Sequence, residues 1–79
     1  MTTLLDSKSD CKKVIKKLLQ ERASALLLQR VLDRIELVED ETQLKKSIAD
    51  IRVTVRMFVD EDLGDEIADE LTKAAKLKN

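Results

Sequence analysis

Cys11 is the first residue of this sequence whose type invites chemistry. It stands beside Lys12 and Lys13 at the start of a helical pattern, where cations and a helix N-terminus can lower a thiol pKa and expose a reactive thiolate. It also falls on the apolar side with Val14, Ile15 and Leu18, and the chain has no second Cys and no His, so a small buried hydrophobe is the expected role. The absence of His removes the commonest general base, and the single glycine, Gly64, leaves no basis for a loop that cradles phosphate. Carboxylate pairs such as Glu36 and Asp40 fit solvated helix faces in a chain this charged.

The acidic stretch Asp60-Glu61-Asp62-Leu63-Gly64-Asp65 resembles a calcium loop in its supply of hard oxygen ligands, but the register fails. Counted from Asp60, Gly64 is fifth where the sixth position should hold the glycine, and Leu71 occupies the twelfth, where a bidentate Glu belongs. Helix capping and a turn glycine account for the same residues. The sequence therefore predicts no catalytic, cofactor-binding or metal site, no cofactor, no small-molecule substrate and no enzymatic activity.

A basic cluster is the remaining candidate. Lys12, Lys13, Lys16 and Lys17 project from one side of the first helix, opposite Cys11, Val14, Ile15 and Leu18, and could bind an anion such as phosphate or an anionic membrane. Nucleic-acid binding would ordinarily add a concentrated basic field or aromatic stacking platforms, and Phe58 is the only aromatic residue. If the first two helices are antiparallel, these lysines lie near Asp60, Glu61, Asp62, Asp65 and Glu66 and help orient the hairpin.

The elements that must position these residues are helical. Pro is absent and 39% of residues are charged, a makeup of helix formers with almost no turn punctuation. The pattern predicts an all-α single domain over residues 1–79: a flexible N-terminus at 1–8, a long helix over 9–38 capped by Ser7 or Ser9, a second over 41–59 and a third over 63–77. Thirty residues at 1.5 Å each give about 45 Å, longer than a compact domain of this size is wide, so the first helix either bends near Gln20–Ser24 or protrudes. Asp40 is placed to cap the second helix, with Gln43 reaching back to it.

Apolar spacing suggests more surface than one chain covers. Leu44, Ile48, Ile51, Val55 and Phe58 form one seam on the second helix, while Ala49, Val53 and Met57 lie on a different side. On the first helix, Val14, Leu18, Ala25, Leu28, Leu32 and Ile35 define a broad face, and Leu27, Val31 and Val38 extend it around the back. A three-helix monomer could cover these positions. The favoured expectation is a homodimer completing a four-helix-type bundle, with Leu27, Val31, Val38, Val53 and Met57 at the interface.

Fifteen Lys and Arg against sixteen Asp and Glu leave a net charge of -1, so no global field draws the chain to nucleic acid or anionic lipid. One cysteine permits no internal disulfide, and neither a signal pattern nor a membrane span is evident, which points to the cytoplasm. The functional expectation is a small non-catalytic protein–protein interaction or regulatory module, partnered by its own copy or another protein. The alternative is a phosphate-rich ligand bound on the basic face of the first helix.

Overall fold

Ser24 divides what the sequence pattern presents as one long helix. Its backbone is extended (φ -65°, ψ 156°), and its hydroxyl accepts a hydrogen bond from the amide of Leu27 at 3.2 Å, satisfying a donor that a new helix leaves free. The computed structural model describes residues 4–76 and contains, among them, four α-helices: α1 (Leu4–Leu19), α2 (Ala25–Glu36), α3 (Glu41–Phe58) and α4 (Glu61–Ala74). The described residues are all-α, as the composition requires, but form four helices rather than three.

The physical reason for the division is length. A straight helix over 9–38 would extend about 45 Å, whereas the longest dimension of the described chain is 33 Å. The turn at residues 20–24 lets α2 fold back beside α1, and it also resets the helical phase. Cys11, Ile15 and Leu19 are buried on α1, and Val31 and Ile35 are buried on α2, so each helix has its own inward face.

The other boundaries differ less. α1 already begins at Leu4, so Ser7 and Ser9 lie inside the helix instead of capping it, and the expected flexible stretch 1–8 is helical over its described part. Residues 1–3 and 77–79 of the expected elements lie outside the described residues. Asp40 caps α3 as expected, accepting from the Gln43 amide at 2.8 Å, but the Gln43 side chain accepts from the amide of Glu39 rather than Asp40. Asp60 caps α4, accepting from the Leu63 amide at 3.1 Å, so that helix starts two residues earlier than predicted.

α3 packs most extensively on α4, α4 and α2 both pack on α1, and the contact between α2 and α3 is smaller than any of these. Ile15, Leu19, Ile35, Leu44, Ile51, Leu63, Ile67 and Leu71 are fully buried at the centre. The radius of gyration is 11.3 Å, close to the value of about 11.6 Å expected for a compact chain of this length. The core is thus closed within one chain, with α4 supplying the cover that the sequence reading sought from a second copy.

Candidate interaction surface

The residues expected at a dimer interface separate into two groups. Val31 and Val38 are buried in the core, and Leu27 is half-buried against it, so these positions stabilise the single chain. Their assignment to an outer interface is corrected by the turn at 20–24, which rotates α2 until this side faces inward. Val53 and Met57 stay on the surface, 55% and 72% exposed.

Phe58 also departs from expectation. It continues the spacing of Leu44, Ile48, Ile51 and Val55 but lies at the last residue of α3, where the chain turns into α4, and it is 72% exposed. The seam therefore ends at Val55. Leu26, in the first turn of α2, is 67% exposed, and no signal in the apolar spacing distinguished it from Leu27 or Leu28. Leu26 and Phe58 line the same cleft, which lies between α2 and α3, a sparsely packed pair of helices.

This cleft has a volume of about 580 Å³. Leu27, Val31 and Val59 provide its more buried apolar lining, and Arg22, Arg30 and Arg34 add cationic side chains. Arg34 bridges the helices through the carboxylate of Asp50 at 3.1 Å. Around α3, at 100° per residue, Val53 and Met57 follow Phe58 on the outward side, extending the apolar surface beyond the cleft. They meet a second concavity, of about 720 Å³, that also includes Ala49 and Lys45.

The basic residues of α1 do not form the arrangement expected. Lys12 pairs with Glu36, and Lys8 donates to the carbonyl oxygens of Glu36 at 2.7 Å and Val38 at 3.0 Å. These cations cover the C-terminus of α2, where free carbonyls and the helix dipole favour positive charge. Lys13, Lys16 and Lys17 are exposed on the remaining surface. The acidic junction pairs elsewhere: Asp65 accepts from Arg52 at 2.9 Å and Arg56 at 3.3 Å, joining α4 to α3 rather than α1.

Cys11 is buried and its thiol contacts the carbonyl oxygen of Leu71 at 3.8 Å as a weak donor. Burial, with the charge of Asp10, pushes its pKa up to about 11, the opposite of an activated thiolate. Among the described residues no group of three or more His, Cys, Asp or Glu is placed to hold a metal ion, and no helix is long and apolar enough to cross a membrane. No family model, curated protein or solved structure matches this chain.

Proposed function

We propose that this chain is a non-catalytic helical interaction module that binds another polypeptide across its α2–α3 face. The observation that supports this reading is the exposure of Leu26 and Phe58 in one cleft, with Met57 and Val53 exposed on the outward side of α3, along a separate concavity. A single exposed leucine needs no explanation, but grouped large apolar side chains, including the only aromatic residue in the sequence, form the kind of surface that partner binding removes from water.

Self-association is the narrower form of the same reading. The two-copy bundle expected from sequence placed Val31 and Val38 outside the monomer core; with both inside it, Val53 and Met57 remain as support. Phosphate-rich ligands are less well supported, since Lys12 is already engaged by Glu36.

The test is comparative affinity capture at physiological salt using the native chain, a folded Leu26→Glu/Phe58→Glu variant and Leu5→Glu as a control on another exposed leucine. The expected result is a saturable partner retained by the native and Leu5→Glu chains but lost from the double variant. Equal retention by all three chains would remove the α2–α3 face from the explanation.

A further inference from the structure

The charge around the α2–α3 cleft narrows the choice of partner. Its lining includes Arg22, Arg30 and Arg34 but no Asp or Glu. Arg34 is engaged with Asp50, whereas neither Arg22 nor Arg30 forms an ion pair among the described residues. An apolar trough bordered by unpaired guanidinium groups is complementary to a segment that offers both apolar anchors and carboxylates. α2 is 12 residues long, about 18 Å, so the trough can match several turns of helix.

A second copy fits this combination poorly. A two-fold contact through the same cleft would bring arginines toward arginines. Within this chain the acidic run Glu39-Asp40-Glu41 lies at the turn into α3, and the helix that concentrates exposed acids is α4, with Asp62, Glu66, Asp69 and Glu70 on the surface but its apolar residues Leu63, Ile67 and Leu71 in the core. That helix can offer carboxylates to a neighbour but not the apolar anchors required by the trough. A flat bilayer, in turn, matches a concave cleft less well than a helix does.

We propose that the α2–α3 cleft docks an acidic amphipathic helix from a different protein. Leu26 and Phe58 grip its apolar face while Arg22 and Arg30 meet the carboxylates along its edge. This assignment rests on the interaction-module reading and specifies the chemistry of its partner.

The test uses three synthetic peptides of about fourteen residues. The first has leucines at helical spacing with Asp and Glu elsewhere. The second retains the leucines but replaces the acids with Lys, and the third is a scramble of the first that destroys the apolar face. Fluorescence anisotropy with the full chain should show saturable binding of the first peptide and at least about tenfold weaker binding of the other two. Arg22→Gln/Arg30→Gln should weaken the first peptide by about fivefold and reduce its salt dependence, while Leu26→Ala/Phe58→Ala should abolish binding. Circular dichroism of each variant establishes that its fold is retained.

Equal binding of the acidic and basic peptides overturns the charge assignment but leaves an apolar interaction groove. Failure of all peptides, together with a concentration-dependent dimer that Leu26→Glu/Phe58→Glu dissociates, assigns the cleft to a second copy and overturns the proposed occupant while preserving the broader reading. Binding to anionic vesicles instead of peptides overturns both. So does failure of all peptides by a monomer whose captured proteins are unchanged by the double variant.

Discussion

Gly64 acts through close packing of two helices. A Cβ at this position would overlap the Cγ of Arg56 and approach the Arg52 carbonyl oxygen to 2.9 Å and the Arg56 amide nitrogen to 3.0 Å. A rotamer change can move the arginine side chain, but the two backbone atoms move only if α3 shifts. Overpacking costs about 1–3 kcal/mol, against about 1 kcal/mol gained by replacing a helical glycine with alanine. Gly64→Ala should therefore lose about 1 kcal/mol, with a Tm lower by roughly 4–8 °C. An unchanged or higher Tm would show that the helix pair accommodates the methyl group. Cys11 supplies a pH prediction: its folded pKa is raised to about 11, so the neutral thiol stabilises the fold. That contribution is intact below the ordinary thiol pKa of 9.0 and diminishes as pH rises toward 11, where the unfolded state ionises more readily. The stability advantage of the native chain over Cys11→Ala should narrow between pH 8 and about 11 in urea titrations; a constant difference would contradict the assigned burial effect.

At the scale of elements, three short side chains set the starts of three helices. Ser24, Asp40 and Asp60 each accept from the amide three residues ahead, and the two aspartates also place negative charge at the positive end of a helix. Asp60→Ala should destabilise the chain by about 1 kcal/mol, and Asp60→Asn by less, because Asn keeps the acceptor while losing the charge. Chemical denaturation would measure both, and equal losses would assign the effect to charge alone. Ser24 has a further consequence: by starting α2 in a new phase, it directs Val31 and Ile35 inward and leaves Leu26 on the surface. The cap is therefore linked to the candidate interaction face through helix orientation.

For the whole molecule, closure of the core by α4 decides which substitutions the monomer tolerates. Val31→Glu places a charge in the core, at a cost of several kcal/mol, comparable with the entire stability of a small domain. Its circular dichroism should report loss of the fold. Met57→Glu, on the exposed face, should leave stability within about 0.5 kcal/mol of the native chain. The reverse ranking would place the inner and outer faces incorrectly. The ion pairs between Asp65 and the two arginines of α3 are about half-exposed, so each contributes only about 0–1 kcal/mol. Added salt should consequently change the Tm little, while weakening a charge-guided partner much more.

The all-α class, the start of α3 at Asp40 and the buried seam Leu44, Ile48, Ile51 and Val55 were legible in the sequence, because composition, capping and local periodicity act over a few residues. The unreactive environment of Cys11 was legible in the same way, from its place on an apolar face. The helix count was less accessible, since residues 20–24 contain neither Pro nor Gly, and the turn there is marked only by the Ser24 cap and by the dimensions of the molecule. Gly64 looked like turn punctuation but serves close helix packing, a role that depends on residues brought from α3. The apolar positions of the interaction surface were present in the sequence, but periodicity alone could not separate Val31 and Val38 from Val53 and Met57. Tertiary structure decides that division, because burial depends on where α2 turns and which face α4 covers, neither of which is a property of any one helix.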